Sequence, residues 1–181
     1  MNDVNALIGW LLEAPRGCPV EECGATAAFE AISGTGITAV TQFRGQRELT
    51  QREQQLLQAL GAKTGHERSG ILYAGTVPVA ATTAILLPYR IPAAVRQALG
   101  IGPGAAAMAA DAVPLGRALA GLRVWREPLE VLPTPGQRDV SGKEHVICST
   151  ARLWLGGPIA IVTERIYQEF LTAYPGPWTA P

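Results

Sequence analysis

ARLWLGGPIAIVTERIY, residues 151–167, holds two apolar runs that meet at Gly156-Gly157-Pro158, and its reading decides the fold. Aliphatic and β-branched residues on both sides of a glycine turn predict an antiparallel hairpin, from about His145 to Leu155 and from Pro158 to Tyr167. Strand side chains alternate, so Glu164 shares a face with Val162 and Ala160, while Thr163, Ile161 and Ile159 point the other way. Neither face reads as wet. A carboxylate in that place either lies just past the buried part of the strand or lines a cavity, where it must be paired or hydrogen-bonded. The hairpin alone leaves both readings open.

Working outward, Glu67–Thr76 and Val77–Leu87 form a second pair of β-rich runs with a turn near Gly75 and Pro78, and Pro88 ends the pair. Ile37–Phe43 alternates Ile37, Ala39, Thr41 and Phe43 on one face and predicts another strand. Leu122–Leu132 alternates apolar with charged residues, Arg123, Arg126, Glu127 and Glu130 among them, and predicts a half-exposed strand interrupted at Pro128. The Pro- and Gly-bearing segment Pro133–Lys143 reads as a loop.

Helical spacing marks Asn5–Glu13, Ala25–Ile32 and Pro92–Leu99. Thr50-Gln51-Arg52-Glu53 has the form of a capping box, with Leu56, Leu57 and Leu60 as the apolar stripe behind it. IGPGAAAMAADAVPLG, residues 101–116, fits either a packed helix or a flap over a pocket, and Gly100–Ala110 is the candidate lid. Strands joined by short turns, with helices gathered towards the front, predict an α+β domain over residues 1–181. Its core is a single, largely antiparallel sheet of about six strands with helices packed on one face.

Composition narrows the function classes. Fifteen basic and fifteen acidic residues cancel without forming a block, so no footprint for nucleic acid or an anionic membrane is visible. Only 17% of residues are charged, against roughly 25% in an average globular protein, which fits tightly packed small residues. No apolar run approaches the roughly 20 residues of a membrane span, and the first residues lack a signal-peptide layout, so the expected location is the cytoplasm. Cys18, Cys23 and Cys148 show no CxxC spacing, so neither a metal site nor a disulfide framework is expected.

Phosphate-loop, dinucleotide, zinc-protease and serine-hydrolase motifs are all missing. His66 and His145 sit at predicted strand starts and read as exposed. Arg68 opens the apolar strand RSGILYAG much as Glu164 closes another. A guanidinium there either lies in water or binds a carboxylate bidentately, since it cannot shed its charge to escape desolvation.

The order of these pieces resembles the chorismate pyruvate-lyases that make 4-hydroxybenzoate, whose fold is shared with the ligand-sensing UTRA domains of bacterial regulators. RSGILYAG followed by TTAILLP, then VPLGRAL at Val113–Leu119, then ARLWLGGPIAIVTE carry the likeness, which covers roughly Ile32–Tyr167. The resemblance implies that Arg68 grips a substrate carboxylate and that Glu164 faces the ring oxygen where the bond breaks. It also implies that backbone around Leu115 and Gly116 closes the pocket, and that GTGIT sets Ile37 against the ring. Dry walls from Ile37, Leu72, Leu86 and Val162 would complete the site. Glu164, its pKa raised by its apolar surroundings, would serve as general acid to the departing oxygen or help the ring lose a proton. No metal or organic cofactor is required.

One position departs from the pattern. The second Arg that such lyases carry on the strand after the turn corresponds to Ala84 here, so Arg90, Arg152 or another basic residue supplies that charge, or the substrate has changed. The implied activity is a cofactor-independent carbon–oxygen lyase that eliminates pyruvate from chorismate. The alternative is a divergent catalyst, a cyclase or elimination enzyme of secondary metabolism acting on a more apolar substrate. A UTRA-like ligand-binding module is the third reading. Such modules follow a winged-helix DNA reader, which the first thirty residues are too short and too little basic to form. In every case the expected partner is a small molecule, not nucleic acid or membrane.

Overall fold

The computed structural model describes residues 2–13, 18–102 and 113–175. Six antiparallel strands form one open sheet in the order β1-β2-β3-β6-β5-β4. They are β1 (Ile37–Glu48), β2 (Thr64–Ala74), β3 (Val77–Leu86), β4 (Trp125–Arg138), β5 (Glu144–Trp154) and β6 (Pro158–Tyr167). The helices are α1 (Asn2–Glu13), α2 (Val20–Cys23), α3 (Ala25–Ser33), α4 (Gln51–Leu56), α5 (Ala93–Ala98), α6 (Leu115–Ala118) and α7 (Gln168–Ala173), with a 3-10 turn at Pro88–Arg90. The architecture is the expected α+β sheet.

The β5–β6 hairpin forms where the sequence places it, with Gly156 in the left-handed region at φ 64°. Its register sets Glu164 opposite Ser149 on β5 and Thr82 on β3. One row further along, Arg68, Ala84, Val162 and Ala151 lie side by side across four strands. These rows share one face of the sheet, and two apolar clusters cover that face at its ends. At one end Leu7 and Leu11 of α1, Phe29 of α3 and Phe170 of α7 pack on Leu72, Ala80, Ile147 and Ile166. At the other, Ile91, Leu99, Leu119 and Val124 pack on Leu86, Leu153 and Ala160. On the opposite face Leu57, just after α4, packs on Ile85, Leu87 and Ile161. The Thr50 hydroxyl accepts from the Glu53 amide at 3.2 Å while the Glu53 carboxylate accepts from the Thr50 amide at 2.8 Å, so the capping box is complete.

Several expectations need correction. Pro133–Arg138 is strand, not loop: Pro133 pairs with Ile147 and Gln137 with His145. Prolines are tolerated because β4 is an edge strand, and Pro128 marks a register shift within it rather than its end. On β1, a register shift between Thr41 and Phe43 turns Phe43 out of the alternating face and leaves it 49% exposed. The α4 helix stops at Leu56, so Leu60 is exposed. His145 is buried and its Nδ1 bonds the Thr134 hydroxyl at 2.9 Å, a structural role. Cys18 and Cys23 are joined in a disulfide. Most of the candidate lid lies outside the described residues.

Candidate functional site

Between the two apolar clusters the covering segments stand off the sheet face, and a partly enclosed cavity of about 60 Å³ opens there. That is several times the roughly 10–15 Å³ that one water needs. Its floor is sheet: Ala39 and Thr41 of β1, Arg68 and Leu72 of β2, Thr82 and Ala84 of β3, and Val162 and Glu164 of β6. Its roof is Val20, Gly24–Thr26 and Pro114–Gly116. Gly70 also lines it and is confined to glycine, since a Cβ there would lie 2.3 Å from the Val40 carbonyl oxygen.

Arg68 and Glu164 thus share one apolar cavity, with Leu115 and Gly116 above them. Ile37 does not join them. Although expected against the ligand, it lies in the core under α3, with its amide held by the Glu30 carboxylate at 3.0 Å. Ile37 pairs with Ala74 at the end of the sheet, so the lining places on β1 fall to Ala39 and Thr41. Leu86, also expected in the wall, belongs to the second apolar cluster, whereas Leu72 and Val162 do line the cavity.

Ala84 is a small lining residue, as the sequence indicates, and the second cation enters from another strand. Arg126 of β4 lines the cavity with its side chain only 3% exposed. Its guanidinium donates to the Leu11 carbonyl at 2.7 Å, to the Ser149 hydroxyl at 2.6 Å and to Glu164 Oε2 at 3.4 Å. Arg90 and Arg152 lie elsewhere. Arg90 donates to the carbonyls of Leu57, Gln58 and Pro158, and Arg152 pairs with Glu127 while stacking on Trp154. Arg126 was missed because WREPLEV reads as a half-exposed strand. A signal existed: Arg126 alternates with Val124 and Pro128, putting it on the apolar side.

Burial pushes the Glu164 carboxyl above the ordinary carboxylate range, and the neighbouring Arg126 charge with hydrogen bonds from Arg126 and Ser149 offsets only part of that. Arg68 is 7% exposed and donates from Nε to the Thr41 hydroxyl at 3.2 Å and from its terminal nitrogen to the Val113 carbonyl at 2.7 Å. One recess therefore holds two guanidiniums and a carboxyl that can carry a proton. Among the described residues, no group of three potential metal-ligating side chains occurs, and no helix is long and apolar enough to cross a membrane.

No protein-family model matches the chain, and no curated protein matches it. Solved structures do. The effector domain of PhnF from Mycobacterium smegmatis is similar at 11% identity and a TM-score of 0.53, over 79% of this chain and 87% of that one. A putative GntR-family transcriptional regulator is similar at 14% identity and 0.52, over 83% of this chain and 60% of that one. The ligand-binding domain of a putative GntR-family regulator from Bordetella bronchiseptica follows at 9% identity and 0.50, over 79% and 91%. Identities this low carry the fold alone, which is that of the UTRA and chorismate lyase-like domains.

Proposed function

We propose that the chain is a small-molecule-binding module whose cavity takes a compact, carboxylate-bearing ligand. One observation carries the reading: Arg68, Arg126 and Glu164, brought from three strands, converge on a single apolar recess between the helices and the sheet. The ligand's carboxylate meets Arg68 in charge-assisted hydrogen bonds, its apolar body lies over Ala84, Leu72 and Val162, and a polar group at its far end meets Glu164. Likeness in fold to the effector domain of PhnF and to the ligand-binding domain of a putative GntR-family regulator supports the same reading. Calorimetric titration of the chain with benzoate, 4-hydroxybenzoate and small dicarboxylates tests it. Saturable one-site binding is expected, and no heat with any of them overturns the reading.

A second reading, elimination of pyruvate from chorismate, is favoured by the buried Glu164 carboxyl beside a second cation. Chorismate carries two carboxylates, for which Arg68 and Arg126 would supply the charges, and its enolpyruvyl ether leaves as the ring becomes aromatic. A carboxyl with a raised pKa holds its proton at the departing oxygen, so the chemistry needs positioning and one proton donor. Incubation with chorismate should then release 4-hydroxybenzoate and pyruvate in equal amounts. Binding without product retains the module and removes the lyase.

A further inference from the structure

We propose that Cys18 and Cys23 form a redox clasp on the cavity wall. Joined, they keep α2 in the shape that roofs the ligand site. Reduced by a dithiol, they let it loosen and the cavity binds its ligand more weakly. The clasp rests on the cavity's being a ligand site, and it adds a control that the site itself does not contain.

The disulfide brackets α2 entirely, with the two Cα atoms 5.9 Å apart. Inside the bracket, Val20 is buried and lines the cavity roof, and the roof continues from Gly24 to Thr26 directly after Cys23. The same short segment is fastened to the entry of β4. The Val20 amide donates to the Val124 carbonyl at 2.7 Å, Pro19 bridges Trp125, and the Gly121 amide donates to Glu21 at 3.1 Å. Two residues beyond Val124 comes Arg126, so one strap touches both the roof and the strand that carries the second cation.

Four residues make about one helical turn, too few to hold a helix by backbone bonds alone. At its far end, the turn into α3 is so tight that a Cβ on Gly24 would lie 2.2 Å from the Val20 carbonyl oxygen. The geometry of α2 is therefore set by its ties at both ends, and the disulfide is the covalent one. Both cysteines are half-exposed and within reach of a reductant. Cys148 is a neighbour of Ser149 on β5 and so faces away from the cavity, outside the device.

The reaction balances with a dithiol as the electron donor. One of its thiolates attacks the Sγ of Cys18 or Cys23, the S–S bond breaks, and a mixed disulfide forms. The reductant's second thiolate then displaces the protein sulfur, leaving two protein thiols and the reductant as its cyclic disulfide.

Residue-resolved hydrogen exchange on the whole chain, oxidised with glutathione disulfide or reduced with dithiothreitol, tests the clasp. Thiol titration should give one free thiol in the oxidised protein, Cys148, and all three cysteines in the reduced one. Amides from Val20 to Thr26 should exchange about tenfold faster on reduction while those of β5 and β6 keep their rates. The dissociation constant of 4-hydroxybenzoate should rise by about threefold or more. Cys18→Ser with Cys23→Ser should behave as the reduced form under both conditions, and Cys148→Ser should respond like the parent chain. Three thiols after oxidation, unchanged exchange in α2, or equal acceleration throughout the sheet would each overturn the clasp. If α2 loosens on reduction while the dissociation constant stays the same, the clasp is overturned as a control on the site; if neither redox form binds any of the carboxylates, it is the ligand reading that falls, and the clasp's control over it falls too.

Discussion

Two buried guanidiniums line the cavity, and the structure holds them in different ways. Arg126 is tied to a helix carbonyl, a hydroxyl and a carboxylate, joining α1, β5 and β6 to β4 through one side chain. Arg68 is held by the Thr41 hydroxyl on the neighbouring strand and by the Val113 carbonyl next to the roof. A cation that joins four elements and faces a carboxylate is part of the frame. Arg68, held from the wall and the edge of the roof, is the cation that we propose meets a ligand's anion. Burial alone does not separate the two roles, because both side chains are almost fully covered.

Arg126→Met should break this contrast most severely. The substitution removes three hydrogen bonds at once, leaves the Leu11 carbonyl without this donor and strips the Glu164 carboxyl of its cation, with only the Ser149 hydroxyl still bonded to it. Loss of one partner from a buried pair costs about 3–5 kcal/mol. Spread over a chain of this size, that lowers the thermal midpoint by about 10 °C. A change of only a degree or two in calorimetry would mean that Arg126 is not part of the frame.

Arg68→Ala should sharpen the contrast from the other side. Its expected cost in stability is about 2 kcal/mol, that of a hydrogen bond from a charged group, and so below the cost at Arg126. Affinity for a carboxylate ligand should fall by about 10- to 100-fold, the value of a charge-assisted contact. Equal losses in stability for the two arginines, with binding untouched, would collapse the distinction.

How much of this was legible depended on whether local pattern or tertiary covering decided each residue. The β5–β6 hairpin, the β2–β3 pair and the Thr50 cap announce themselves because their period, turn residues and cap spacing are local. Arg68 and Glu164 were legible as charges bordering apolar runs, although both lie inside strands that extend beyond those runs. Arg126 was not, because its burial comes from α1 lying over β4, more than a hundred residues away in sequence. Ile37 was misplaced by its position at the end of the sheet, where α3 rather than a ligand covers it. The prolines of β4 read as loop because only the sheet order reveals an edge strand that tolerates them. The disulfide was hidden because the spacing of Cys18 and Cys23 matches no common motif, and a single turn of helix brings them together.

Glu164→Gln gives the smallest effect and tests the pairing itself. Glutamine keeps the shape and an acceptor for Arg126, while Arg126 keeps its bonds to Leu11 and Ser149, so the loss at neutral pH should be about 1 kcal/mol or less. The pH dependence is the more telling readout. Because the folded state raises the Glu164 pKa above the ordinary 4.5, the folded chain holds that proton more tightly than the unfolded one. Its contribution is therefore complete below the ordinary value and is lost as pH rises through the higher folded value. Glutamine does not titrate, so Glu164→Gln should remove this part of the decline. In Arg126→Met the lowering influence of the cation disappears, the carboxyl rises further, and the decline should extend to higher pH. Urea unfolding of the parent and both variants between about pH 4 and 8 reads the slopes directly. Identical slopes in all three would mean that the carboxyl keeps an ordinary pKa, and that Arg126 does not control its proton.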